Sequence, residues 1–154
     1  MSFGKYTYGV PNILWNNENA KLVIENFCSI AVNVNIYLGG NHRTDWVTTY
    51  PYGHIHQNKF NIFNGEGHLS TKGDVIIGND VWIGNNVTIM SGVTIGDGVV
   101  IANNSHVVKN IETYSLIGGN PSKLIKYRFS KINKFTPLLC NNNIDEFIKS
   151  TFNF

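Results

Sequence analysis

Between Ile77 and Glu112 the apolar positions return every sixth residue. Read in sixes from Ile77, the first position is Ile77, Ile83, Ile89, Ile95, Ile101 and Val107. The fifth is Val81, Val87, Val93, Val99, Ser105 and Ile111. Second positions are mostly Gly or Ala (Gly78, Gly84, Gly96, Ala102), and Gly, Asn and Asp crowd the third and fourth. A half-buried strand alternates at two residues and a helix repeats at 3.6. A period of six fits neither. It predicts one short strand and one corner per hexad, with first and fifth positions pointing inward. Gly and Asn supply the left-handed backbone that sharp corners need. Three hexads then close one triangular coil of a parallel β-helix, in which each coil buries the face of its neighbour.

The frame extends upstream. Ile24, Ile30 and Ile36 keep it, with Cys28, Val34 and Gly40 at inward fifth positions. Residues 1–23 read as an imperfect first coil, with hexads beginning at Phe3 and Gly9. At His42 the rhythm stops. Residues 42–73 are rich in His, Asn, Gly and aromatics, and Ile36 and Ile77 are not a multiple of six apart. An insertion of this length inside a compact repeat points to function. Tyr114 to Asn120 finishes the last coil, and Ser122 to Phe129 leaves it with a basic end. The expected organisation is an all-β domain over 1–129, with the loop insertion at 42–73 and a helical cap over 130–154. In that cap Asn143 caps the helix with Glu146 three residues on. Ile144, Phe147, Ile148 and Phe152 form its buried stripe, and it covers the edge of the last coil.

Composition narrows the function. The chain has 154 residues, which suits one domain. Charged residues make up only 14%, a hint that some faces are buried in an oligomer. A net charge of +2 implies no general polyanion binding, so no nucleic-acid partner is expected. Neither a signal peptide nor an apolar run of membrane length is visible, and a bacterial cytoplasmic location is the expectation. Cys28 and Cys140 have no metal spacing, and Cys28 is read as core.

Beyond the hexads, several stretches carry a resemblance. They are Gly39-Gly40-Asn41-His42-Arg43, Thr49-Tyr50-Pro51, the run from Gly73 to Gly84, and Gly118-Gly119-Asn120-Pro121. Together they resemble the xenobiotic acetyltransferase branch of the hexapeptide acyltransferases, over roughly residues 3–129. That branch includes chloramphenicol and streptogramin acetyltransferases and many sugar O-acetyltransferases. The resemblance implies a left-handed parallel β-helix, an exception to the usual right-handed crossover. It also implies a homotrimer with acetyl-CoA in grooves between neighbouring subunits, and no metal.

By the same resemblance His42 is the catalytic residue. A neutral imidazole can take the proton from an acceptor hydroxyl or amine as it attacks an already activated thioester. Asp45 or Glu66 is expected to orient the ring, and with Trp46 and Tyr50 to lie on the acceptor side, in the insertion. Trp82, Asn85, Ala102 and Asn103 are implied along the CoA groove, Asn120 and Pro121 near the adenine. Lys123, Lys126 and Lys109 are implied at the phosphates. His106 stands where an aliphatic residue is usual, and is read as a corner or interface residue.

The resulting expectation is an acetyl-CoA-dependent O-acetyltransferase acting on a sugar or surface-polysaccharide unit, with antibiotic acetylation as a close alternative. Two readings from other classes compete. One is a metal enzyme resembling γ-carbonic anhydrases, suggested by His54 and His56. Those enzymes take ligands from the coil hexads, where this chain has only His106. The other is a non-catalytic scaffold.

Overall fold

The computed structural model describes residues 1–16, 19–52, 55, 59 and 69–129. Every element among them is a short strand. The first coil holds β1 (Ser2–Phe3) and β2 (Asn12–Leu14). The second holds β3 (Leu22–Ile24), β4 (Ser29–Ile30) and β5 (Asn35–Tyr37). The insertion begins and ends with β6 (Asn41–His42) and β7 (Leu69–Ser70). Then come β8 (Val75–Ile77), β9 (Trp82–Ile83) and β10 (Thr88–Ile89), followed by β11 (Thr94–Ile95), β12 (Val100–Ile101) and β13 (His106–Val107). The last two are β14 (Ser115–Gly118) and β15 (Lys123–Tyr127).

These strands stack into three faces. The first is β1-β3-β8-β11, the second β4-β9-β12-β14-β15 and the third β5 between β2 and β10, with β13 beyond β10. The stacking is parallel and places like on like. Ile24 stands on Ile77 and Ile77 on Ile95. Ile30, Ile83, Ile101 and Ile117 form the second column. Ile13, Ile36, Ile89 and Val107 form the third. Ile77, Ile83, Ile89 and Val107 are wholly buried, as are Val87 and Val99 at fifth positions. Each such aliphatic side chain contributes about 1.5–3 kcal/mol on burial, so the columns carry most of the stability.

The fourth position of the hexad turns the corner. Phe27, Asn33, Asp80, Asn86, Gly92, Gly98 and Asn104 all have φ between 55° and 76°. Asn side chains join successive corners. Asn33 Nδ2 donates to Asn86 Oδ1 and Asn86 Nδ2 to Asn104 Oδ1, each at 3.1 Å. At Gly84 a side chain has no room: a Cβ there would lie 2.4 Å from Asn103 Oδ1 and 2.8 Å from its backbone nitrogen.

Four expectations need correction. Gly40, placed inward by the frame, is a half-buried turn residue with φ +77° beneath the Trp15 ring, while Leu38 and Gly39 take the buried places. Ile111, counted as a fifth position, instead bridges Ile95 as a first position. The hexad from Val107 therefore closes two residues early. Residues 122–129 do not leave the coil: β15 turns back antiparallel on β14, pairing Leu116 with Lys126 and Gly118 with Lys123. His106 sits within β13 on the third face rather than at a corner. The expected cap, 130–154, lies outside the described residues.

Candidate functional site

The insertion leaves and rejoins at the corner between the third and first faces. There β6 and β7 pair antiparallel, Asn41 with Ser70 and His42 with Leu69. Asn41 ties this ladder to the coil. Its Nδ2 donates to Ser70 O and to Ser91 Oγ, both at 3.0 Å, and Ser91 is buried. The backbone nitrogen of Lys72 also donates to Ser91 Oγ, at 3.3 Å. Ser91 stands where most other hexads here have Asn or Asp, and its short hydroxyl serves both ends of the insertion.

His42 follows directly and is exposed. Its Nδ1 lies 2.7 Å from the carbonyl oxygen of Thr49. A carbonyl only accepts, so Nδ1 carries the proton and, in the neutral ring, Nε2 carries the lone pair. The Thr49 main chain thus holds the ring in the tautomer a base at Nε2 requires. Thr49 was visible in the sequence only as part of a motif.

Asp45 is occupied elsewhere. Arg43 Nε donates to its Oδ1 at 2.7 Å, and the Arg43 Nη2 pairs with Oδ2. This hydrogen-bonded ion pair lowers the Asp45 carboxyl to about 2 and raises the Arg43 guanidinium. The same guanidinium lies 5.5 Å from the Trp46 ring centroid, a cation–π distance. Tyr50 packs on Tyr52 with ring centroids 4.7 Å apart. Trp46 and Tyr50 therefore share the loop stem with His42. Glu66, His54 and His56 lie outside the described residues.

The residues expected along CoA occupy a different corner, between the second and third faces. The Asn85 backbone nitrogen donates to Asn103 Oδ1 at 2.9 Å, and the Ala102 nitrogen to Ile117 O at 2.9 Å. The Asn120–Pro121 turn, a cis peptide, lies one coil below. It is fastened to β13: the His106 nitrogen donates to Gly119 O and the Ser122 nitrogen to His106 O. Asn85, Ala102, Asn103, Asn120 and Pro121 thus line one edge. Trp82 projects from the second face beside it, 57% exposed. Lys123 and Lys126 are exposed on β15. Lys109 is exposed at the far end of the third face, on the His42 side. Within one chain the third face separates His42 from this edge. Among the described residues no cluster of three His, Cys, Asp or Glu side chains suits a metal ion, and no helix is long and apolar enough to cross a membrane. Cys28 is wholly buried with Sγ 3.1 Å from Gly78 O, and burial raises its thiol.

The family described as bacterial transferase hexapeptide (six repeats) matches residues 74–109. A probable macrolide acetyltransferase of Lysinibacillus sphaericus is 53% identical over 120 residues, covering 71% of this chain and 62% of the relative. A chloramphenicol acetyltransferase of Klebsiella aerogenes is 36% identical over 144 residues, covering 80% of this chain and 68% of the relative. The chain belongs to the hexapeptide-repeat xenobiotic acetyltransferases. Membership gives the hand of the coil, a left-handed parallel β-helix. A galactoside acetyltransferase solved with coenzyme A superposes with a TM-score of 0.55 at 26% identity, over 84% of this chain and 60% of that one. The chain spans 62% and 68% of the two curated family members named here.

Proposed function

We propose that this chain carries an acetyl-CoA-dependent O-acetyltransferase activity on a small hydroxylated acceptor, with His42 as general base. The observation that carries the mechanism is the 2.7 Å contact between His42 Nδ1 and Thr49 O. Nε2 takes the proton from the acceptor hydroxyl as its oxygen attacks the thioester carbon. The C–S bond then breaks, the acetyl ester forms, and the sulfur leaves with that proton as free CoA. Positioned base catalysis of this kind contributes about 10²–10⁴-fold in rate. Acetyl-CoA as the acyl donor is supported by the acetyltransferase relatives and by the coenzyme A in the galactoside enzyme.

The acceptor reading shifts from the sugar expectation toward an antibiotic. Identity of 53% to a macrolide acetyltransferase weighs more than 26% to a galactoside enzyme. A sugar acceptor remains the second reading, supported by the likeness to the galactoside enzyme; the tilted Tyr50–Tyr52 pair offers aromatic faces that suit pyranose rings and drugs alike.

A homotrimer with the donor between subunits is part of the proposal. It brings the His42 corner of one copy to the Asn85–Asn103 edge of another, which a single chain holds apart. The test is thiol release from acetyl-CoA with macrolides, streptogramins, chloramphenicol and hexoses as acceptors. Turnover with a macrolide or streptogramin supports the antibiotic reading, and turnover with hexoses alone replaces it by the sugar reading. No thiol release with any hydroxylated acceptor would overturn the activity.

A further inference from the structure

The third position of the hexad bonds one coil to the next. Asn26 Oδ1 accepts from the Lys5 backbone nitrogen at 2.8 Å and Asn79 Oδ1 from that of Asn26 at 3.2 Å. Asp97 Oδ1 accepts from the Asn79 nitrogen at 2.7 Å and Asn103 Oδ1 from that of Asn85 at 2.9 Å. The pairing of Ile36 with Ile89 makes Ser91 the equivalent of Leu38 one coil on. There the tie between coils is replaced. The Leu38 nitrogen turns to Leu14 O at 2.9 Å. Ser91 Oγ accepts instead from Asn41 Nδ2 at 3.0 Å and from the Lys72 nitrogen at 3.3 Å, one at each end of the insertion. A bond within the coil has given way to bonds with the loop that carries His42.

We propose that Ser91 is a positioning residue for His42, acting through the Asn41 side chain. The proposal rests on the reading of His42 as general base. Strands β6 and β7 are two residues long, and so short a pair does not hold itself in water. Its place is set by what it is fastened to. The return end has a further fastening, since the Gly92 nitrogen donates to Gly73 O at 2.9 Å. The departure end, one residue before His42, is fastened to the coil by Asn41 Nδ2 on Ser91 Oγ. Ser91 is buried, so this bond is shielded from competing water. Without it, β6 shifts against the coil and His42 shifts with it. A base displaced by about 1 Å loses on the order of 10²-fold in rate, while the Asn85–Asn103 edge, at another corner, is untouched.

Three variants of the full chain test this: Ser91→Ala, Asn41→Ala and Ser91→Thr, which keeps the hydroxyl. In each Ala variant kcat is expected to fall about 10–100-fold, with the CoA dissociation constant and the acceptor KM within about twofold of the unaltered values. The Asn41→Ala, Ser91→Ala double variant should fall no further than either alone, because both remove one bond. Ser91→Thr should keep most of the activity. Backbone hydrogen exchange supplies a reading that needs no turnover. In Ser91→Ala, amides of 41–42 and 69–70 should exchange about tenfold faster, and those of 88–89 as in the unaltered chain. An unchanged kcat in Ser91→Ala, additive losses in the double variant, or equal losses with Ala and Thr at position 91 would overturn the proposal. If the unaltered protein turns over no acceptor, the reading of His42 as a base fails by itself. Exchange then decides the fastening, and unchanged rates at 41–42 would overturn it.

Discussion

His42 and Asp45 are three residues apart and do different work. His42 is held by a main-chain carbonyl, Asp45 by Arg43. For His42→Ala, kcat is expected to fall by about 10²–10⁴-fold with the CoA dissociation constant nearly unchanged. Steady-state kinetics and calorimetry separate the two, and a variant of normal activity removes His42 from the chemistry. Asp45 makes an independent prediction. Its carboxyl stays ionised in the folded chain down to about pH 2, against an ordinary value of 3.8. The unfolded chain takes up that proton first as pH falls. The pair's contribution is therefore complete above about pH 4 and lost progressively toward pH 2. Carbon-detected NMR titration of Asp45 reads this directly. Replacing Arg43 by Leu should return the midpoint toward the ordinary range, and a midpoint that stays low would assign the shift to another group. His42 was legible because a motif surrounds a side chain of distinctive chemistry. Its orientation was not, because every residue offers a carbonyl and only the folded loop selects that of Thr49.

Among the coils, the sequence was most legible where one residue type answers one backbone requirement. Ile77 to Ile101 show a strict period because each stands on its equivalent one coil away. Asn86 shows the corner requirement, with φ 57° and side-chain bonds to Asn33 and Asn104. Asn86→Gly loses those bonds and keeps the backbone. Asn86→Ala loses them and keeps the left-handed cost of a Cβ, about 1–2 kcal/mol, which Gly escapes. Urea denaturation should thus find the Ala variant less stable than the Gly variant, the reverse of what a helix would give. Equal midpoints would mean the corner relaxes. Gly84→Ala, whose Cβ would press on the Asn103 and Ile101 backbone, should cost about 1–3 kcal/mol by forcing two coils apart. The shortened turn before Ile111 and the return of β15 were not legible. Both are set by main-chain pairing, of Ile111 with Thr94 and Ile95 and of β15 with β14, and such pairing leaves little mark on residue type.

In the whole molecule, the geometry divides the candidate site between two corners of the triangle. From Asn85 to Ser91 the chain crosses the third face in six residues, at most about 20 Å when extended. Asn41 binds Ser91 and places His42 at the far end of that crossing. In the proposed trimer, an acetyl group delivered along the Asn85–Asn103 edge would meet the His42 of a neighbouring copy. Two inactive variants test this. His42→Ala removes the base, and Asn85→Trp blocks the edge at an exposed position without touching the backbone bond from Asn85 to Asn103. Each alone should be inactive. If each site takes His42 from one subunit and the edge from the next, random co-assembly in equal amounts leaves about a quarter of the sites with both parts intact. Co-unfolding and refolding the two variants together should then restore roughly that fraction of activity. If both parts belong to one chain, every site keeps one defect and mixing restores nothing. The outcome does not depend on the acceptor's identity, so it isolates the arrangement of subunits around the donor.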